Sequence, residues 1–290
     1  MQKQKVTLFF NTQGGLKMSV IPSLTLNTHD HMPLLGLGVY KATAPNEVET
    51  AIAAALDAGY RLIDTASVYK NEEGVGRAVK SSSIPREELF ITTKVWNTAQ
   101  RIGNIESAFE RSLERLQMDY VDLYLVHWPV PGCYLDTWRA LEKIYTSGRA
   151  KAIGVSNFEI HHLEELFQIS GIIPAVNQIE YHPLWNQSEL KAYCQEKGIA
   201  VQAYAPLARG AYFHRDTITQ IGEKYGKTPA QTGLRWLIQK GISAIPKSSN
   251  PARIASNADI FDFELNDIEM KAIDALDEKF RSAGMPEDLR

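Results

Sequence analysis

Asp64, Tyr69, Lys94 and His127 are the residues of this chain whose types and spacing most clearly suggest chemistry. The run Tyr60–Asp64 leads into Thr65–Tyr69; Phe90–Thr93 ends on Lys94; Leu123–Val126 ends on His127. Each run is apolar enough to be a buried strand, and the ionisable residue follows at its carboxyl end. Repeated on three successive strands, this places the four side chains at one end of a parallel barrel, where such folds carry their active sites. A free phenol has a pKa of about 10, too high to trade protons readily near neutrality. A nearby lysine ammonium favours the phenolate, so Lys94 is expected to lower the pKa of Tyr69. Asp64 can pair with Lys94 and aim it. His127 can donate a hydrogen bond to a substrate oxygen. The set suits general acid catalysis on a carbonyl, with no nucleophile and no metal required.

The elements that must position these residues follow from the pattern of the chain. Strands are expected at Leu35–Leu37, Arg61–Asp64, Phe90–Lys94, Val121–Val126, Ala152–Val155, Ala175–Ile179, Ala200–Tyr204 and Ser243–Ile245. They read as nearly continuous apolar runs, as parallel strands buried on both faces do. Amphipathic helices fall between them: Glu47–Ala58 closed by Gly59, Ile105–Leu116, Ile160–Phe167, and Glu189–Lys197 closed by Gly198. The last interval holds two, Thr217–Tyr225 and Pro229–Gln239, the second capped by Thr228. This is α/β alternation of the (β/α)8 TIM-barrel kind, with extra helices near the carboxyl end. Leu24–Leu26 and Met32–Leu34 flank Asn27–His31 as a β-hairpin that could plug the bottom of the barrel. A doubly wound sheet fits less well, because Gly36-Leu37-Gly38 opens no helix and lacks a third glycine.

Composition sets the frame. The chain has 290 residues, 44% hydrophobic and 22% charged, enough for a full core. A net charge of −3 argues against nucleic acid or a membrane as the main partner. Cys133 and Cys194 have no metal-type spacing, and no secretory leader or transmembrane run is evident, which fits a cytoplasmic protein. Residues 1–20 read as a flexible extension, with Met18 an alternative start, and 21–290 as one barrel domain.

Beyond the four residues, the motifs resemble the aldo-keto reductase family. Asp64-Thr65-Ala66-Ser67-Val68-Tyr69-Lys70-Asn71-Glu72-Glu73-Gly74-Val75-Gly76 is similar to its first signature. Lys94 sits in Ile-Thr-Thr-Lys-Val-Trp and His127 in Leu-Tyr-Leu-Val-His-Trp-Pro, while Gly154–Phe158 and Ile245–Ser248 resemble further signatures. The resemblance runs from Ile21 to Asp277. It implies metal-free reduction of aldehyde or ketone carbonyls by NADPH, with Asp64, Tyr69, Lys94 and His127 as the catalytic tetrad. It also implies that Ser156, Asn157 and Gln178 bind the nicotinamide carboxamide and that the Tyr204 ring stacks on the nicotinamide. Leu207 joins the implied cofactor site. Lys247, Ser248 and Arg253 match the residues that hold the 2′-phosphate, and Asn257 one near the adenine. The phosphate reading has independent support, since the segment from Lys247 follows a strand and enters a helix with two cations and a hydroxyl. Ser256 and Ala205 depart from the family, standing where many members carry Glu or Gln and Ser respectively. Tyr40, Trp96 and Trp128 are candidates for the substrate pocket wall. Short loops at Pro129–Asp136 and after Asp277 resemble those of small microbial members that reduce methylglyoxal and diketogluconates; some similar protozoan proteins are prostaglandin F synthases. A monomer is expected.

Taken singly, these residues have plainer readings: Asp64 as a helix cap, Lys94 as a rim salt bridge, Tyr69 and His127 as packing, Lys247 and Arg253 as a solvated helix end. Their combination favours the site. His161 and His162 are adjacent, so their rings are expected to diverge on a helix surface. His182 reads as loop structure, and Cys133 lacks an activating base. Two rival classes are a metal-dependent barrel hydrolase using Asp64 and His127, and a cofactor-binding barrel that has lost catalysis.

Overall fold

The computed structural model describes residues 21–289. An antiparallel hairpin, β1 (Ser23–Thr25) and β2 (His31–Pro33), precedes the barrel. The barrel strands are β3 (Gly36–Gly38), β4 (Leu62–Asp64), β5 (Phe90–Val95), β6 (Val121–Val126), β7 (Ala150–Ser156), β8 (Val176–Glu180), β9 (Ala200–Tyr204) and β10 (Ser243–Ala244). Every one pairs in parallel with its chain neighbour. Parallel bridges Leu35↔Ala244 and Gly38↔Lys247 join the first barrel strand to the last and close the ring. All residues of β5 and β6 are buried, as the apolar runs require.

The surrounding helices are α1 (Glu47–Asp57), α2 (Glu72–Ser81), α3 (Asn97–Ile102), α4 (Ile105–Leu116), α5 (Tyr134–Thr146), α6 (Ile160–Ile169), α7 (Ser188–Glu196), α8 (Asp216–Lys224), α9 (Pro229–Gln239), α10 (Pro251–Ala258) and α11 (Asp267–Asp274). On α4 the expected stripe Ile105, Phe109, Leu113 and Leu116 is buried. On α9 the Thr228 hydroxyl accepts from Gln231 N–H while the Gln231 side chain accepts from Thr228 N–H, a reciprocal cap that fixes the first turn. The expected elements therefore stand, with shifts of one or two residues at their ends.

The hairpin sits one residue earlier than expected and closes the amino-terminal end of the barrel. Met32 is fully buried, and the Ser243 hydroxyl donates to the Pro33 carbonyl at 2.9 Å. A cleft of about 500 Å³ beside the hairpin is lined by His31, Arg61, Asp122 and Lys151. It lies at the opposite end from the four opening residues and holds none of them. The expected division at residue 20 borders on residues outside the described range.

Candidate active site

Alternation along β5 decides which side chains enter the barrel. Thr93 faces outward, its hydroxyl donating to Glu72 at the start of α2 at 2.6 Å. Lys94, the next residue, points inward and is fully buried. Its ammonium donates to Asp64 Oδ1 at 2.5 Å and to the Thr65 carbonyl at 2.8 Å. Asp64 Oδ2 accepts from Gln178 Nε2 at 2.7 Å, and the same amide donates to Gln202 Oε1 at 2.7 Å. Gln202 in turn reaches Ser243 Oγ at 3.3 Å and Met32 Sδ at 3.5 Å. A polar ladder thus descends from the buried ion pair through the barrel interior to the hairpin. Burial pushes the Asp64 carboxyl up and the Lys94 ammonium down, while their mutual attraction opposes both.

Tyr69 ends a single 3-10 turn, Ser67–Tyr69, that leaves the end of β4. That turn is tied down at several points. Ser67 Oγ donates to the Lys94 carbonyl at 2.9 Å, and Asn71 Nδ2 donates to the carbonyls of Val39 and Ala42 at 2.9 and 3.2 Å. The Tyr69 ring is half-buried, with its centroid 5.1 Å from Lys94 Nζ and 5.7 Å from the His127 ring, edge-on. The four opening residues are therefore gathered at one place. Their electrostatics correct one expectation. The Tyr69 phenol lies well above its ordinary pKa, raised first by desolvation and then by the charges of Asp64, Tyr204 and Tyr40. Lys94 does not lower it, because Asp64 at 2.5 Å compensates the ammonium. Burial first, and then the Lys94 charge, hold the His127 imidazole well below its ordinary pKa, so it is neutral at neutral pH. Its Nδ1 is buried without a hydrogen-bond partner among the described residues.

Aromatic side chains gather around Tyr69 and His127. The Tyr40 ring lies 5.0 Å from Tyr69 and the Trp96 ring 5.0 Å from His127. Trp128 follows His127 directly and is mostly buried. Next to them, at the ends of β7, β8 and β9, Ser156 Oγ donates to the Gln178 carbonyl at 2.8 Å. Asn157 Nδ2 donates to the His127 carbonyl and to Ser156 Oγ, both at 3.0 Å. Asn157 takes φ 63°, a left-handed conformation that asparagine tolerates better than most residues. The Tyr204 hydroxyl donates to Asn157 Oδ1 at 2.7 Å. Ser156, Asn157, Gln178 and Tyr204 thus form one cluster beside His127.

A model of the aldo/keto reductase family matches residues 34–278. A glyoxal reductase of Bacillus subtilis (strain 168) is 51% identical over 271 residues, spanning 93% of this chain and 98% of that protein. A 9,11-endoperoxide prostaglandin H2 reductase of Trypanosoma cruzi is 47% identical over 269 residues, spanning 92% and 95%. The chain belongs to the aldo/keto reductase family. Among solved structures, a Bombyx mori aldo-keto reductase in complex with NADP superposes with a TM-score of 0.85 at 39% identity, covering 92% of this chain and 96% of that one.

In this family member the remaining expected cofactor residues lie along the entry to α10. Asn250 caps that helix by accepting from Arg253 N–H at 3.1 Å, and Ser248 Oγ accepts from Asn250 N–H at 3.1 Å. Lys247 Nζ lies 3.6 Å from Glu47 Oε1, and Asn257 is buried. Leu207 packs, half-buried, against the small cluster of Leu184, Ala208, Tyr212 and Ile218. The histidine pair departs from expectation: the rings of His161 and His162 lie 3.8 Å apart. His162 Nδ1 turns back to accept from Glu159 N–H at 3.1 Å, which draws its ring toward its neighbour. His182 is loop structure, fully buried against Glu180. Among the described residues no three His, Cys, Asp or Glu side chains gather as a metal site. Gln202, Glu180 and Arg281 escaped the sequence reading. For Gln202 a signal exists: glutamine stands third in both Val176–Glu180 and Ala200–Tyr204, and in the second strand it is flanked by apolar residues alone.

Proposed function

We propose that this aldo/keto reductase reduces aldehyde or ketone carbonyls to alcohols with NADPH, Tyr69 giving the proton. The observation that carries the reading is the buried Lys94–Asp64 pair set 5.1 Å from the ring of a protonated phenol, with a neutral imidazole alongside. The residues fit the cofactor. Asn157 joins the Tyr204 hydroxyl to Ser156, whose hydroxyl reaches the Gln178 carbonyl, and the Arg253 and Lys247 cations flank the capped start of α10. When bound, NADPH supplies the hydride; the protein supplies orientation and the proton. Tyr69 holds its proton at neutral pH because its pKa is high, so it is loaded as a donor. As the proton leaves for the carbonyl oxygen, Lys94 is the ammonium nearest the ring that gives it up, its charge largely offset by Asp64. Asp64 and the Thr65 carbonyl keep Lys94 aimed. A neutral His127 offers one N–H to the same oxygen and sets its direction.

The Bacillus relative's activity makes small dicarbonyls natural substrates, and the trypanosomal relative keeps a prostaglandin endoperoxide as a second candidate. The complete tetrad argues against a silent barrel. We place the protein as a monomeric single-domain barrel over 21–290 in the cytoplasm, a reading supported by its two free thiols and its low net charge.

Tyr69→Phe tests the mechanism. Aldehyde-dependent NADPH oxidation should fall by at least about 100-fold, the usual scale for losing a general acid. Cofactor binding, read by quenching of protein fluorescence, should persist. Full turnover in this variant would remove Tyr69 as the donor.

A further inference from the structure

Inside the ring, three barrel strands line up one polar side chain each. Gln178 on β8 is the register partner of Gln202 on β9, and Gln202 is the register partner of Ser243 on β10. All three are buried. At one end of this row Asp64 Oδ2 accepts from Gln178 Nε2 at 2.7 Å; at the other, Ser243 Oγ donates to the Pro33 carbonyl at 2.9 Å.

The two ends can only accept. A carbonyl oxygen has no proton to give, so Ser243 must spend its single hydroxyl proton on Pro33. Ser243 Oγ is then left to accept at 3.3 Å from Gln202, which turns Gln202 Nε2 toward it. Met32 Sδ, another acceptor, lies 3.5 Å from the same nitrogen and favours the same turn. Gln202 Oε1 consequently faces Gln178 and takes one of its two amide protons at 2.7 Å. The second amide proton points at Asp64. The direction of every bond is thus settled from the hairpin upward, and a donor is delivered to Asp64 Oδ2. Protonating that oxygen would set donor against donor. Gln178 would have to rotate its amide, which would bring its own Oε1 against Gln202 Oε1. Gln202 would rotate in turn, facing its oxygen to Met32 Sδ and competing with Pro33 for the Ser243 proton. Lys94 holds Asp64 Oδ1 in the same way, as a donor at 2.5 Å.

We propose that Gln202 and Ser243 are positioning residues for the reaction: they fix the direction of this row, so that Gln178 always presents an N–H to Asp64 and the carboxylate stays ionised as the anchor of Lys94. Their effect on rate rests on the carbonyl-reduction reading above. Burial disfavours the Asp64 charge, and Lys94 and then the Gln178 bond favour it. The other ionisable groups around the pair are Tyr69 on the turn after β4, His127 after β6, and Glu72 on α2, which acts on Lys94; Tyr204 of β9 and Tyr40 after β3 act on Tyr69. Because His127 also takes up its proton in acid, Asp64 must be followed directly.

The test labels aspartate at its carboxyl carbon and follows the resonances against pH by NMR, with Asp64→Asn identifying the one from Asp64. Gln202→Met keeps the side-chain length but offers Gln178 no oxygen. In that variant Asp64 should take up its proton about one pH unit higher than in the unmodified protein, the scale of losing one hydrogen bond to a charge. Ser243→Ala should shift it in the same direction by less, because only the direction of the row is released. In methylglyoxal reduction the acid-side fall of kcat should move with Asp64 while KM changes little. An Asp64 titration unmoved in folded Gln202→Met, or unmoved in Ser243→Ala, overturns the assignment. If Gln202→Met fails to fold, Ser243→Ala decides alone. A kcat profile that stays in place while Asp64 moves removes the two residues from the reaction. If the titration moves in both variants but the unmodified protein reduces no carbonyl, the row still fixes Asp64 and the carbonyl-reduction reading is what fails.

Discussion

His127 is the side chain whose charge state most constrains both stability and chemistry. In the unfolded chain its imidazole takes up a proton near pH 6.5, while in the fold burial and Lys94 delay that uptake to well below this value. Between the two, the unfolded state binds more protons, so stability rises with pH. The contribution is complete above about pH 6.5 and is lost as pH falls toward the folded pKa. His127→Gln removes this dependence. Urea unfolding of the two proteins across pH 7.5 to 5 should show their stability difference shifting in the variant's favour in acid. The slope should approach about 1.4 kcal/mol per pH unit. A difference independent of pH would mean that His127 is not buried in its neutral form. Tyr69 teaches a related lesson. The sequence shows which lysine lies near the phenol. It does not show that Asp64 at 2.5 Å absorbs the lysine's charge, because that depends on distances across strands.

At the scale of the element, α2 carries the Tyr69 turn's exit and is the helix that the chain advertises least. Its sequence, Glu-Glu-Gly-Val-Gly-Arg-Ala-Val-Lys-Ser, holds two glycines that lower helix propensity. Packing accounts for them. A Cβ on Gly76 would lie 2.3 Å from the Leu116 carbonyl oxygen, and one on Gly74 would lie 2.3 Å from Val48 Cγ1. The glycines let α2 approach the end of α4 and the face of α1. Gly76→Ala meets backbone, which cannot swing aside, so it should destabilise by about 1–3 kcal/mol despite the better helix former. Thermal unfolding of the purified variant measures this; an unchanged midpoint would show that α2 can slide outward freely. Helices α4 and α9 were legible because a clean apolar stripe or a Thr–Pro start marks them. The barrel strands were legible because burial on both faces leaves continuous apolar runs. Helix α11, which the sequence pattern did not lead us to expect, is started by a reciprocal cap between Asn266 and Glu269. The hairpin's Met32 contact with Gln202 left no local mark, since 170 residues separate the partners.

For the whole molecule, the barrel and its tail are separable parts. Ring closure comes from Leu35↔Ala244 and Gly38↔Lys247, both remote from the tail. The tail is held instead by Leu184, by Glu180 and, near its end, by Arg101, whose guanidinium meets Asp288 at 2.5 Å with both groups partly exposed. Exposed pairs of that kind contribute at most about 1 kcal/mol, so Glu180 is the principal anchor. Burial raises the Glu180 pKa, but hydrogen bonds from His182, Ser282 and Ala283 outweigh it and hold the carboxyl below its ordinary value. A carboxylate with a depressed folded pKa stabilises the fold above the unfolded value and loses that contribution as pH falls through the folded one. A chain ending at Asp277 should therefore keep the far-UV circular dichroism of the intact barrel while melting at a lower temperature at neutral pH. The gap in melting temperature should narrow as acid protonates the intact protein's Glu180. Collapse of the helical signal would instead make the tail part of the barrel's own folding unit, since neither closing bridge would then suffice without it.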